Sequence, residues 1–350
     1  MDRFPTSSRP QLTRRSIGAL LAASCVPWSA TIAQTLAARA HERDLGVIRG
    51  LLQQSEADID LAVAKVTIDH LIDPTIDAAA TLANLNAMAR ALKALLPIVA
   101  SKRLTLDALR YHVYQASPWN GNRPFRYDLD DPFGTNIQNK LLSTYLASRK
   151  GNCVSMPFLF IILGQKLGVD LTAATAPNHI FVKYRDEGGT QYYLEATSGA
   201  GFARDVWIRQ QFPMSDESLA SGIYMRALTK KETVALMAGT LLEYYGQQED
   251  PQLQDQRIAL ANIVLEYSPR DIEAILHLRA AILWMTNLII DQHSYPNIMP
   301  ADKRKQIAQA QAVVGGLFGR AYNLGWRPPG QAAEAAYRQT ITRERAAQQK

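Results

Sequence analysis

Apolar residues that recur three and four positions apart predict helices over residues 58–97. Asp73-Pro74 divides this stretch into two helices, and Pro97 ends the second. The apolar stripes that give the period run through Leu61, Ala64, Ile68 and Leu71, then through Leu82, Leu85, Ala89 and Leu92.

The amino-acid composition changes between about residues 103 and 140, where polar and turn-forming residues predict a long loop. Its centre, WNGNRPFRYDLDDPFGTN, carries aromatic residues that can pin a loop onto a core. Such a loop either borders a cleft as a lid or covers the core. Asp128, Asp130 and Asp131 lack the spacing of a calcium-binding EF-hand loop, which favours a solvated loop.

Alternating and β-branched residues predict strands within residues 169–208, in VDLTAAT, HIFVKYR and QYYLEAT. The segment DEGGT between the last two predicts a hairpin turn. From about residue 228 onward, apolar stripes predict helices, arranged in pairs that resemble tetratricopeptide repeats only loosely. The apolar run from Ala280 to Ile290 is short for a bilayer and predicts a core helix.

The composition indicates a globular protein of roughly two domains, because 350 residues exceed one small core and 47% of them are hydrophobic. The net charge is +6, but residues 1–40 hold five arginines against one aspartate. The remainder is therefore close to neutral, about +2. We expect no nucleic-acid partner, since such a body has little attraction for phosphate backbones.

Residues 1–40 predict an export signal rather than part of the fold. Paired Arg14 and Arg15 precede an apolar run of about a dozen residues and resemble a twin-arginine signal, with small residues for cleavage between Ala33 and Ala40. We therefore expect a periplasmic or otherwise exported protein. The alternative is a lipid anchor at Cys25, which is the only membrane association that we expect.

Cys153 is the one cysteine that remains after such processing, because the chain has two. An odd cysteine in an exported protein indicates a reactive thiol or an intermolecular disulfide. Gly151-Asn152 before it and Pro157 after it predict a helix that begins close to Cys153 and ends at Gly168. The apolar run between them predicts that this helix is buried. A helix N-terminus favours a thiolate, as does a neighbouring imidazolium.

His179 and Glu195 supply the base and the orienting carboxylate that a nucleophilic thiol requires. A hairpin turn near Glu187-Gly188 sets His179 opposite Glu195 or Ala196, with both side chains free to face the cysteine helix. This predicts a catalytic triad of Cys153, His179 and Glu195.

The Cys153 backbone N–H is one natural donor to an oxyanion, and Asn152, Gln115 and Trp119 are candidates for the second. The other histidines lack metal-ligand spacing, and the chain contains no GxxxxGK[ST], GxGxxG, HExxH or CxxC motif. We therefore expect no cofactor and no metal. Arg149 and Lys150 are interpreted as a solvated basic pair.

The segments LLSTYLASRKGNCVSMPFLFIILGQKLGVDL, APNHIFVKY and LEATSG resemble the transglutaminase-like superfamily of the papain-type fold. Within it, the chain is similar to bacterial proteins that join such a domain to tetratricopeptide-like helices, over roughly residues 45–300. The resemblance assigns catalytic roles to Cys153, His179 and Glu195, although the third position is more often aspartate. It implies an α+β fold in which a buried cysteine helix packs on a small antiparallel sheet.

Four regions follow from these patterns: 1–40 as the export signal, 41–100 as an N-terminal helical segment, 101–227 as a transglutaminase-like domain, and 228–350 as a tetratricopeptide-like helical region. One hypothesis is an exported cysteine enzyme that hydrolyses an amide or transfers its acyl group, acting on a peptide or protein. The alternative is a non-catalytic scaffold that binds a protein partner through its C-terminal helices.

Overall fold

The computed structural model describes residues 42–293, 299–328, 330, 338 and 342. The predicted export signal and Cys25 lie outside the described residues, as does part of the predicted helical region at the C-terminus. The side chain of Trp119 is also outside them.

The N-terminal part is helical, as the apolar period predicts. Helix α1 covers residues 42–53, and α2 (Leu61–Ile72) and α3 (Ala78–Leu95) follow it. The break between α2 and α3 falls at Asp73-Pro74, as predicted. Asp60 and Asp77 begin α2 and α3 because their carboxylates accept backbone N–H bonds from the first turn.

Helix α4 (Lys102–Tyr114) corrects the prediction of a loop that begins near residue 103. Leu106, Leu109 and Val113 are fully buried and lie on one face of it. The outward face is polar, and the Ser101 hydroxyl accepts the Leu104 N–H at the start of the helix. Because the outward face of α4 is rich in polar residues, the composition of this segment resembles that of a loop.

The chain between α4 and the cysteine helix is pinned to the core. Short strands β1 (Arg126–Tyr127) and β2 (Lys150–Gly151) pair in parallel, and the Phe125 side chain is only 4% exposed. Helix α5 (Leu142–Ser148) leads into the turn before α6 (Ser155–Leu167). Helix α6 is buried as predicted.

A four-stranded antiparallel sheet follows, with the strands in chain order. The three predicted strands are present, and a fourth short strand and a helix over 205–211 occupy the end of the segment predicted to be strand-like. The strands are β3 (Asp170–Ala176), β4 (His179–Arg185), β5 (Gln191–Glu195) and β6 (Gly201–Ala203).

The two faces of the sheet pack against different parts of the chain. Ile180, Val182 and Tyr184 lie in the core cluster that contains the apolar residues of α6. Phe181, on the opposite face, packs in a second cluster with residues from further along the chain. Gly164 lets α6 lie close to β3, because a Cβ at this position would come within 2.4 Å of Leu171 Cδ1.

The remainder of the described chain is helical. The helices are α7 (Asp205–Gln211), α8 (Asp216–Ser221), α9 (Lys230–Gly246), α10 (Pro251–Tyr267), α11 (Ile272–Asp291) and α12 (Ala301–Asn323). Consecutive helices from α9 to α12 pack against one another, while the tetratricopeptide-like character of this region stays a prediction. The architecture is α+β, as predicted.

Helix α11 has the length and the apolar composition to cross a membrane, unlike any other helix among the described residues. Its Ala274, Ile275 and Ala281 side chains are fully buried, and it packs against both α10 and α12. These contacts are typical of a core helix in a globular protein.

A buried ion pair joins the N-terminal helices to the chain that precedes the cysteine. Lys65 and Asp69 on α2 form a salt bridge, with side chains 0% and 1% exposed. Lys65 also donates to the Lys140 carbonyl at 2.9 Å, and Asp69 accepts the Leu142 N–H at 2.8 Å. Each charge is thus hydrogen-bonded on two sides, which is the condition for burying an ion pair.

Candidate active site

The turn before α6 fixes the position of Cys153. Gly151 is required there because a Cβ would come within 2.6 Å of the Tyr145 ring. Asn152 is 1% exposed, and its Oδ1 accepts the N–H groups of Val154 at 2.9 Å and Ser155 at 3.2 Å. The helix therefore begins at Ser155, two residues later than predicted, because the Asn152 side chain satisfies its first free N–H groups.

The thiol of Cys153 reaches the connection between β3 and β4. Its Sγ lies 3.8 Å from the carbonyl oxygen of Asn178. Pro177 and Asn178 form the two-residue connection, in which Asn178 has a φ of 55°. Asparagine tolerates this left-handed conformation better than most residues do. Asn178 is not among the predicted site residues, although a Pro-Asn pair between two predicted strands is a turn signal.

His179 and Glu195 are in direct contact. The Nε2 of His179 lies 2.8 Å from Oε2 of Glu195, and both side chains are 8% exposed. The register pairs Val182 with Leu194, which places Glu195 diagonally across from His179 rather than opposite it. The predicted register was one or two residues out, but diagonal neighbours share a face of the sheet and remain within reach.

The predicted orientation toward the cysteine helix is wrong. Because side chains alternate along a strand, His179 lies on the face of Phe181, which is the face away from α6. Its ring stacks on Phe212 just after α7, with centroids 4.3 Å apart and an interplanar angle of 14°. His179 and Cys153 meet at the end of the sheet, where the turn before α6 passes the start of β4. The sequence gives no signal for Phe212.

The charged forms of His179 and Glu195 stabilise each other. Burial disfavours a charged imidazole, but the Glu195 carboxylate and the hydrogen bond with Cys153 outweigh it and raise the pKa of His179 to about 10. Burial also acts on Glu195, yet His179 and two bonds from Thr197 lower the pKa of its carboxyl group. The imidazole is therefore protonated at neutral pH.

The ring nitrogens of His179 are divided between its two neighbours. Glu195 occupies Nε2, so Nδ1 is the nitrogen left for the Cys153 thiol. The second oxygen of Glu195, Oε1, accepts the backbone N–H of Thr197 at 2.9 Å and its hydroxyl at 2.6 Å. The carboxylate is thus held on both sides and can hold the imidazole in one orientation.

The candidates for a second oxyanion donor differ in their surroundings. The Asn152 amide is buried, with Oδ1 committed to the helix start and Nδ2 without a hydrogen-bond partner in the described part of the chain. Gln115 is exposed, and the side chain of Trp119 is outside the described residues.

Cys153 and His179 line a cavity of about 420 Å³. Phe133 and Gly134 of the predicted loop border it, so the loop forms part of a cleft wall while the rest of it is pinned to the core. The opposite wall consists of residues from α9, from the beginning of α11 and from the segment 222–228. This wall mixes polar with apolar residues, so the apolar stripes of these helices could not by themselves indicate it.

The remaining predicted features have structural roles. Asp128 and Asp131 both accept hydrogen bonds from the Asn139 amide, and no group of three metal-ligating side chains occurs among residues the structure describes. Arg149 donates to the Asn120 carbonyl at 2.8 Å, and Lys150 lies 2.6 Å from Asp130. The predicted solvated pair therefore holds the loop in place.

The comparisons with known proteins give one family match, which covers part of the chain. No curated protein matches the chain. A family model described as the transglutaminase-like superfamily matches residues 79–219, a segment that begins in α3, ends in α8 and includes Cys153, His179 and Glu195. Residues 79–219, which hold the three predicted site residues, are therefore similar to the transglutaminase-like superfamily.

Proposed function

We propose that the protein is a cysteine enzyme that hydrolyses an amide or transfers its acyl group to an amine. The observation that carries the proposal is the 2.8 Å contact between His179 and Glu195 beside Cys153, in a cavity large enough for a substrate. The family match over residues 79–219 supports a cysteine-dependent reaction, although superfamilies of one fold host several chemistries. The contact of His179 with Glu195 beside Cys153 supports amide chemistry among them.

The proposed reaction begins with the thiolate of Cys153 and the imidazolium of His179. The thiolate attacks the substrate carbonyl carbon, a C–S bond forms, and the oxygen takes the electron pair of the π bond. The Cys153 backbone N–H is the natural donor to this oxyanion. When the intermediate collapses, the C–N bond breaks and the leaving amine takes the proton of His179.

The second half of the reaction releases the acyl group. Water or an amine attacks the thioester, His179 takes its proton, and the C–S bond breaks to regenerate the thiolate. Glu195 keeps the ring oriented and stabilises its charge through both halves. The extra methylene of glutamate relative to aspartate is no obstacle, since Glu195 reaches Nε2 at normal hydrogen-bond distance.

We further propose that the reaction takes place outside the cytoplasm, on a peptide or another component of the cell envelope. The support is the order of charge, apolar run and small residues in 1–40. Cys153 is then exposed to an oxidising compartment without an intramolecular partner, where a catalytic thiol fits better than a structural one.

Complementation of a strain that lacks the gene tests the proposal without knowledge of the substrate. Cys153→Ala and His179→Ala should each fail to complement while the proteins accumulate at normal levels. Glu249→Gln and Asp302→Asn, both at exposed positions, are the matched controls and should complement. Full complementation by Cys153→Ala would exclude catalysis and favour a scaffold that binds through its C-terminal helices.

A further inference from the structure

The cavity that contains Cys153 and His179 has several charged residues in its lining. One wall is built by the end of the segment before α5, by α9 and by the first turns of α11. The titratable residues that this wall presents are Lys140, Glu243, Asp271, Glu273 and His277.

Four of these five groups have partners within the protein. Lys140 Nζ lies 2.6 Å from Oε1 of Glu243. The Asp271 carboxylate accepts the Ala274 N–H at 2.9 Å and so starts α11. Nδ1 of His277 accepts hydrogen bonds from Arg257, and burial together with that guanidinium lowers the pKa of His277 to about 3.

The two arginines of the cavity lining are also engaged. Arg226 forms a pair with Glu232, with two N–O distances of 2.7 Å. Arg270 donates to the Ser221 carbonyl at 2.6 Å. Neither arginine therefore supplies a direct partner to a carboxylate on this wall.

Glu273 differs from all of these groups. Its side chain is exposed, and no hydrogen bond or ion pair reaches its carboxylate from another side chain in the ranges that the structure describes. The neighbouring protein atoms, together with the Asp271 and Glu243 carboxylates, raise the pKa of Glu273 to about 7, which Lys140 only partly offsets.

A carboxylate at the start of a helix can simply complement the helix dipole, and Glu273 occupies such a position. A dipole role alone is served equally well by a carboxylate in solvent, as at Asp302 on α12. Glu273 instead lines the cavity that contains Cys153, beside the carboxylates of Asp271 and Glu243, where a cation would remove an unfavourable charge arrangement. His277 lies one turn further along α11 and extends the same polar wall.

We propose that this wall is a substrate subsite and that Glu273 binds an ammonium or guanidinium group of the molecule whose carbonyl reacts at Cys153. This inference rests on the proposed function. It assigns the substrate class as cationic, and it makes Glu273 a specificity-determining residue rather than a participant in the bond changes. Charge-assisted hydrogen bonds to a carboxylate would fix the substrate at one end and place its carbonyl at the other.

Three thiol-directed probes with a cationic, a neutral and an anionic side chain test the subsite. They are the chloromethyl ketones of Nα-acetylated lysine, norleucine and glutamate, each of which forms a C–S bond with Cys153 and releases chloride. The full chain with Cys25→Ser has Cys153 as its single thiol. Reactions at about pH 8 keep Glu273 ionised and allow even an unassisted thiol to react.

The lysine probe should react about tenfold faster than the norleucine probe, the factor expected from one charge-assisted hydrogen bond. Glu273→Gln should remove that preference, and Glu273→Lys should transfer it to the glutamate probe. Asp302→Asn, an acidic residue in the first turn of another helix, is the matched control and should leave the ratios unchanged. Equal rates for all three probes in the parent protein would overturn the inference.

The ratio of rates separates this inference from the proposed function. His179→Ala should slow all three probes by a similar factor and leave their ratio intact. If His179→Ala has no effect on any rate, the proposed function fails, while a lysine preference that depends on Glu273 still establishes the cation subsite.

A separate amine could also supply the cation. Pentylamine that protects Cys153 from neutral iodoacetamide in the parent protein, but not in Glu273→Gln, would identify a free amine as the occupant. Equal protection of both proteins would mean that pentylamine binds away from Glu273. If the lysine preference is present in that case, Glu273 binds the cation of the acyl-bearing molecule. Absence of both effects would overturn the subsite.

Discussion

At the scale of single residues, the site depends on a charge that the protein keeps on His179. The imidazole is nearly enclosed, yet the contact with Glu195 holds its proton up to about pH 10. A general acid that is already protonated can serve the leaving amine at neutral pH, and Phe212 keeps its ring plane fixed. Chemistry and local stability thus depend on the same pair.

The pair makes the stability of the protein depend on pH. The pKa of His179 rises from its ordinary value of 6.5 to about 10 in the folded state. Its stabilising contribution is therefore complete below about pH 6.5, declines as pH rises, and is lost above about pH 10. The pKa of Glu195 is lowered, so the contribution also falls when acid protonates this carboxylate.

We expect Glu195→Gln to lower the free energy of unfolding by about 1.5–3 kcal/mol near pH 6, the range for hydrogen bonds to charged groups. The loss should shrink as pH approaches 10, because the unmodified pair no longer carries the imidazole charge there. Urea unfolding at both pH values measures it, with the exposed Glu249→Gln as control. A loss that is the same at both pH values would contradict the charged pair.

At the scale of secondary-structure elements, α2 helps to hold the cysteine turn in place. The Lys65–Asp69 pair binds the chain at Lys140 and Leu142, just before α5 and the turn that carries Cys153. An ion pair without exposure to solvent is costly to break, since the remaining charge stays buried.

Asp69→Leu should therefore destabilise the protein by about 3–5 kcal/mol, as measured by urea unfolding. Adding Lys65→Met should recover most of that loss, because no unpaired charge remains. Arg103–Asp107 on α4 has the same spacing, but its side chains are 55% and 44% exposed, so Asp107→Asn should cost less than about 1 kcal/mol. A small loss for Asp69→Leu, or no recovery in the double variant, would show that the pair is not structurally important.

The elements differ in how far the sequence predicts them. Strand β4 is predicted residue for residue because β-branched and aromatic residues are concentrated in it, and α6 is predicted because its apolar run ends at a glycine with a φ of 72°. Helix α4 was missed because its exposed face is polar. The position of Cys153 relative to its helix was two residues out, because the capping bonds of Asn152 depend on tertiary contacts as well as on local propensity.

The site residues also differ in how far the sequence predicts them. Local patterns identify Cys153, His179 and Glu195, because nucleophile, base and carboxylate occur at a turn, a strand start and a strand end. Phe212 and Glu273 come from chain segments more than 30 residues away from His179, and no periodicity links them to it. Contacts of that kind depend on how helices pack, which composition does not specify.

At the scale of the whole molecule, the helices before and after the family domain share its core. One hydrophobic cluster contains Ile48 from α1, Phe160 from α6, Val182 from β4 and Leu241 from α9. The cavity is likewise completed by α9 and α11, outside the 79–219 match. The C-terminal helices therefore take part in the site, and its chemistry should be measured in the full chain.

The alkylation rate of Cys153 against pH tests the central claim, the pairing of Cys153 with His179. Iodoacetamide and the full chain with Cys25→Ser are suitable, since Cys153 is then the single thiol. The account predicts rapid reaction near about pH 6 and at least a tenfold slower reaction there in His179→Ala, with the two rates converging near about pH 9. Coincident curves that both rise only near about pH 8.5 would contradict it.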